Sequence, residues 1–265
     1  MKQLRSYLWM PTGFVALIVY LPLLVVAVLS FNRSRFGVKW TGFTTDWYSK
    51  LFANEQVHSA LAVSVTLAFS TALIATVLGT GWAYGLRAKR RKEHWSQSLM
   101  YVPIVVPDIL LAIALFLFFS VCRQQFGLFE LGLPTMMVAH ITFQLPFVAL
   151  IIRSRLSRLD PSIEDAARDL GASPRQTFFR VMLPQLMPGI LAAFLLSVTL
   201  SLDDFVISFF SSGPGSTTLP ILIYSSVRRG VTPEIHALSS LMVLFSALVT
   251  ILATLLTNRR GMQAR

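Results

Sequence analysis

One cysteine, Cys122, and twelve acidic residues are all that this chain of 265 residues has of either kind. A lone thiol excludes a disulfide framework and any CxxC metal or redox pair. Residues of either charge make up only 13% of the chain, where soluble domains carry about 25%, and this argues against a water-soluble enzyme. Low-complexity tracts are absent and 54% of the residues are hydrophobic, which excludes disorder. No Gly-x4-Gly-Lys-Ser/Thr loop occurs, so the chain carries no phosphate-cradling motif of that type. His58, His94, His140 and His236 are dispersed, without HExxH or a Ser/His/Asp grouping. Neither a catalytic site, a metal site nor a cofactor is expected.

What the chain has in quantity is apolar sequence, with a mean hydropathy of +0.65. Runs of about 20 apolar residues can cross a bilayer core as helix. Six occur, at about 11–31, 59–86, 97–122, 131–152, 184–210 and 237–257. The first is too long for the core of a cleaved signal, and five more follow it. Six spans put both termini on one side. Placing that side in the cytoplasm puts 16 of the Lys and Arg residues inside and 7 outside, as the positive-inside rule requires. The formal charge of +11 therefore reads as orientation in a membrane and not as affinity for nucleic acid. The expectation is an all-α, multi-pass membrane protein, N-in and C-in, forming one integral domain over residues 1–265.

The inner loop 153–180 carries the most local detail. Asp160 and Pro161 make a helix start, since the carboxylate can accept an orphan N–H and proline suits the first position. Ile163, Ala166, Ala167 and Leu170 recur at helical spacing as one narrow apolar face. Gly171 is a left-handed stop. Ser173, Pro174 and Gln176 then form a second start of the capping-box kind. A small, alanine-lined helix over 161–171 fits a shallow groove on another protein. It equally fits a helix lying on lipid or on its own bundle.

The run Asp165-Ala166-Ala167-Arg168-Asp169-Leu170-Gly171, continuing to Leu183-Pro184, resembles the EAA motif of ABC importer permeases. In that family the motif forms a coupling helix that docks on a separate ATP-binding subunit. The resemblance implies this role for Glu164, Asp165, Ala166, Ala167 and Gly171. The family usually has glutamate where Asp165 stands, and Glu164 precedes it, so which carboxylate makes the contact stays open.

Three acids, Asp108, Asp203 and Asp204, lie at or within apolar runs. A charged side chain at mid-bilayer costs about 2.5–3.5 kcal/mol on insertion scales, so such groups face protein or water. Asp108 is expected about ten residues into the third run, near mid-depth, with Pro103 and Pro107 kinking its approach. Adjacent helical residues point about 100° apart, so Asp203 and Asp204 should differ: one lining a path, the other paired or bonded to backbone. Each could instead pair with an arginine or cap a broken helix. His140 and Gln144 share a helix face, and an interhelical hydrogen bond is the ordinary expectation for His140. Gly81 and Gly85 have the GxxxG spacing of close helix packing.

The segments Ser201–Phe205, Ser212–Gly215, Thr218–Pro220 and Gly230–Ile235 resemble the spermidine/putrescine permease branch. Phe31–Ser34 and Gly42–Tyr48 are similar to it as well, so the likeness covers most of the chain. It implies a type I ABC importer permease fold in a bacterial inner membrane and ATP-driven uptake of polyamines. The implied partners are a second permease subunit as heterodimer, two ATP-binding subunits and an extracytoplasmic polyamine-binding protein. Asp108, Asp203 and Asp204 would then serve a cation path. The outer loop 211–229 either meets the binding protein or caps the bundle. The alternatives are a permease for another small substrate, or a cation-coupled secondary transporter, for which no inverted repeat is evident.

Overall fold

The computed structural model describes the chain apart from residues 1, 35–38, 89–93, 161, 231, 246 and 249–265. Pro161, the basic residues 89–92 and the end of the sixth apolar run therefore lie outside the described residues. The helices in chain order are α1 (Lys2–Leu29), α2 (Asp46–Phe52), α3 (Glu55–Ala88), α4 (His94–Val105), α5 (Asp108–Phe126) and α6 (Leu133–Leu156). There follow α7 (Ser162–Asp169), α8 (Pro174–Gln176), a π-helical segment (Thr177–Met182), α9 (Leu183–Asp203), α10 (Val206–Ser211), α11 (Leu219–Arg229) and α12 (Pro233–Phe245). Five stretches are long and apolar enough to cross a membrane: Pro11–Leu29, Glu55–Leu86, Asp108–Phe126, Leu133–Leu156 and Pro174–Asp203. Of the sixth run, the described part is the shorter helix α12.

Two apolar runs read as continuous are interrupted. The third breaks at Val106–Pro107, because proline has no N–H to continue the ladder and its ring crowds the carbonyl four residues back. The fifth ends as helix at Asp203 and resumes at Val206. At its other end it is entered, as expected, by the helix that starts at Ser173, since α8, the π segment and α9 run on without a break from Pro174.

The chain divides into two compact units. In the first (Met1–His58 with Ile223–Arg265), the turn after α1 is held by Asn32, whose amide donates to Lys39 O at 2.9 Å and accepts from Thr41 N at 3.0 Å. The buried Trp47 indole donates to Asn32 O at 2.8 Å. The Tyr48 hydroxyl lies 2.7 Å from Ser30 Oγ and 2.9 Å from Ser240 Oγ, joining the turn after α1 to α2 and α12.

The second unit (Ser59–Leu222) is built around α6. Its inner half packs Val148, Ala149, Ile152 and Leu156 against Ala75 and Ala83 of α3 and Met182, Leu186 and Ala193 of the π segment and α9. Its outer half packs Ala139 and Phe143 against Ala112, Phe119 and Ile207. Close approach of α3 to α6 requires Gly79, where a Cβ would stand 2.6 Å from Val148 Cγ1. Gly81 and Gly85 are not the packing point that their spacing suggested: a Cβ at either meets nothing within 4 Å. Helices α6 and α9 are antiparallel neighbours, with Gly189 facing Ile152 and Arg155 at one end and His140 facing Ser201 at the other.

Candidate substrate path and coupling site

All three membrane acids sit at helix interruptions, none in the middle of a helix. Asp108 is the first residue of α5, not a residue ten positions into a helix, and its side chain is exposed. Pro107 before it has φ −54° and ψ 136°, an extended conformation that gives α5 a fresh start. A carboxylate in the first turn lies at the positive end of the helix dipole.

Asp203 and Asp204 part company at the second interruption. Asp203 is the last residue of α9 and is exposed. Among the described residues its carboxylate, like that of Asp108, has no hydrogen-bond or ion-pair partner. An anion at the negative end of a helix is an arrangement that a cation would relieve.

Asp204 is 9% exposed and caps α10. Its Oδ1 accepts from Ile207 N at 3.2 Å and its Oδ2 from Ser208 N at 2.8 Å, which satisfies two orphan donors of that short helix. His140 Nε2 lies 3.5 Å from the same Oδ2 and 3.0 Å from Ser208 Oγ, while Nδ1 lies 2.8 Å from Ser201 Oγ. Ser201 and Ser208 were missed as members of this group. Their seven-residue spacing around the acid pair is visible in the sequence, but only the fold brings His140 between them.

The loop 153–180 folds largely as its local signals dictate. Asp160 Oδ1 accepts from Ser162 N at 2.9 Å, and this bond, with a further one from the Ser162 hydroxyl, holds the carboxyl below its usual range. At the far end Gly171 takes φ 80°, donating to Arg168 O at 2.8 Å, and Ala172 donates to Ala167 O at 3.0 Å. Those two bonds form a Schellman stop. Ser173 and Gln176 cap reciprocally, through Ser173 N to Gln176 Oε1 at 2.8 Å and Gln176 N to Ser173 Oγ at 3.4 Å.

The expected single apolar face of α7 is divided. Ala167 is buried, Ile163 and Glu164 are half-buried, and Asp165, Ala166 and Leu170 are exposed. The cause is tertiary: α7 rests on the π segment, so one side is already occupied. Asp165 pairs loosely with Arg168 at 3.9 Å, in solvent. The π segment is itself anchored, with Phe178 against Tyr84 at 4.7 Å between ring centroids and Met182 in the core.

Comparison with known proteins adds three findings. A family model described as "Binding-protein-dependent transport system inner membrane component" matches residues 75–260. The chain is 41% identical to the putrescine transport system permease protein PotI of Escherichia coli (strain K12) over 248 residues, 92% of this chain and 88% of that protein. It is 37% identical to the spermidine/putrescine transport system permease protein PotC of Haemophilus influenzae over 244 residues, 92% of this chain and 93% of that protein. Among solved structures, a bacterial ABC transporter involved in the import of the acidic polysaccharide alginate matches with a TM-score of 0.73 at 18% identity, covering 97% of this chain and 96% of that one. The MetNI methionine ABC transporter matches with a TM-score of 0.57 at 20% identity, covering 76% and 94%. At such identities the structures speak for the fold alone.

Proposed function

This chain belongs to the binding-protein-dependent transport system inner membrane components, and on that premise we propose that its unpartnered carboxylates line the cation path of a polyamine importer. The chain is a multi-pass permease subunit of the inner membrane and not an enzyme, and ATP is hydrolysed by a partner subunit. Its cargo is putrescine or spermidine, as the names of its relatives suggest for them.

The observation that carries the reading is Asp203, a carboxylate without a partner among the described residues, at the negative end of α9. Polyamines are multivalent cations that bare lipid excludes. One ammonium 4 Å from a carboxylate gains on the order of 4 kcal/mol at an effective dielectric of about 20. The helix dipole adds only about 0.3–1 kcal/mol, so the carboxylate dominates. Asp108 serves the same path with less unmet charge, and Asp204 serves it by shaping the interruption.

Coupling runs through α7. Its outward residues Asp165, Ala166 and Leu170, with Gly171 ending the helix, form the small knob that meets the ATP-binding subunit. Glu164 and Ala167 face inward and seat the knob on the π segment. From there α9 continues without a break to Asp203, so a push on α7 arrives at the acid pair along one helix. The rest of the assembly is a second permease subunit as heterodimer, two ATP-binding subunits and an extracytoplasmic polyamine-binding protein. Residues 1–265 act as one permease domain.

Labelled putrescine uptake into cells expressing the whole transporter tests the reading. Depleting ATP while clamping the ion gradients should stop uptake, whereas a secondary transporter would continue. Ala166→Glu, placed on the outward side of α7, should abolish ATP-dependent uptake. Uptake unaffected by that change would remove the docking assignment.

A further inference from the structure

We propose that His140 is a positioning residue for transport: by bridging the interruption between α9 and α10 it commits Asp204 to the protein and leaves Asp203 as the acid offered to the cargo. The proposal rests on the cation-path reading of Asp203 above. His140 is 1% exposed on α6 and touches both sides of the break at once. Nδ1 meets Ser201 before it at 2.8 Å, and Nε2 meets Ser208 after it at 3.0 Å.

An ordinary interhelical hydrogen bond needs one ring nitrogen; here both are engaged. A serine hydroxyl can donate or accept, so either ring tautomer serves Ser201 and Ser208 together, with Asp204 Oδ2 3.5 Å from Nε2. Ser208 closes the group, since its N–H donates to Asp204 Oδ2 at 2.8 Å while its Oγ meets the imidazole. The ring is held in place from its own helix. One turn inward on the same face, Gln144 Nε2 donates to Thr71 Oγ1 at 3.1 Å, tying α6 to α3. Twelve residues inward on each helix, Ile152 faces Gly189, so the antiparallel register that sets His140 opposite Ser201 extends along the whole α6/α9 contact.

The imidazole's two hydrogen bonds tie Ser201 of α9 to Ser208 of α10 across Asp204, and removing the ring removes both. The cap could then loosen, Asp204 would compete with Asp203 for the cargo, and the end of α9 would lose its fixed direction. The loss of His140 should therefore be felt through Asp203.

The test is a double-mutant cycle in the assembled importer, reconstituted in proteoliposomes with its partner subunits and loaded binding protein. ATP-driven putrescine uptake is measured, and assembly is checked by copurification of the ATP-binding subunit. Asp203→Asn and His140→Ala should each reduce uptake about tenfold. The double variant should fall no lower than the weaker single one, because both act at one point. A double variant reduced by the product of the two single effects would make His140 merely a packing residue and overturn the proposal, as would normal uptake by His140→Ala. Normal uptake by Asp203→Asn instead sinks the cation-path reading. Should His140→Ala assemble poorly, Ser208→Ala removes the Nε2 partner by deleting one oxygen and carries the same cycle, with the same two outcomes.

Discussion

At the junction of α4 and α5 the chain stops at Pro107 and restarts with Asp108, whose carboxylate lies at the positive end of the new helix. At the junction of α9 and α10 it stops on Asp203 and restarts after Asp204. There the second acid is consumed as a cap, while the first is left at the negative end of α9. Both junctions put an aspartate within an apolar run, yet among the described residues Asp203 alone of the three is both without a partner and unfavourably placed. Such an acid has the most to gain from a cation.

The comparison is broken most severely at Asp204. Asp204→Ala leaves the Ile207 and Ser208 N–H groups without their acceptor in a buried setting, about 1–3 kcal/mol each. The purified complex should unfold at a lower temperature, and uptake should be lost. Asp204→Asn keeps one acceptor oxygen but turns an amide nitrogen toward the second donor, so it should fall between the parent protein and Asp204→Ala in the same melting measurement. An Asp204→Asn variant as stable as the parent protein would mean that capping by both oxygens is not what holds the junction.

Asp203→Asn should act the other way. It touches no partner among the described residues, so the melting temperature should hold while uptake falls about tenfold. Asp108→Asn removes a carboxylate that the helix dipole already compensates, and uptake should fall only about two- to fivefold. Measured side by side at saturating binding protein, the two variants rank the junctions. A larger loss at Asp108 would reverse the assignment of the principal cation contact.

Much of the loop 153–180 was legible in the sequence because its signals are local. Ser173 with Gln176 and Gly171 specify their caps from residues at most five apart. The apolar runs were legible for the same kind of reason, since span length and composition are properties of the run itself. What escaped was whatever depends on distant partners. A hydropathy run sums composition and passes over a two-residue gap, so Pro107 read as a kink and the break after Asp203 did not register. The face of α7 is divided because the π segment covers one side, and periodicity cannot see what covers a helix. Gly79 and not Gly81 is the close contact because Val148, 69 residues on, decides it. His140 had a visible neighbour in Gln144, but Ser201 and Ser208 lie 61 and 68 residues away.

The smallest effect sharpens the comparison by moving the same device into water. Asp160 does for α7 what Asp204 does for α10, accepting a backbone N–H near the helix start, but Asp160 is fully exposed. The Ser162 hydrogen bonds lower its carboxyl pKa, so the stabilisation they provide is present above the unfolded carboxyl's pKa. It is lost only as pH falls through the lowered folded value, in acid, and at neutral pH the cap is complete. Asp160→Ala should nonetheless change ATP-coupled uptake at neutral pH by less than about twofold, because water can replace the lost acceptor. No such replacement is at hand for the buried donors of α10. If coupled uptake in Asp160→Ala fell as far as in Asp204→Ala, burial would not be what separates the two caps, and α7 would depend on Asp160 for more than its first turn.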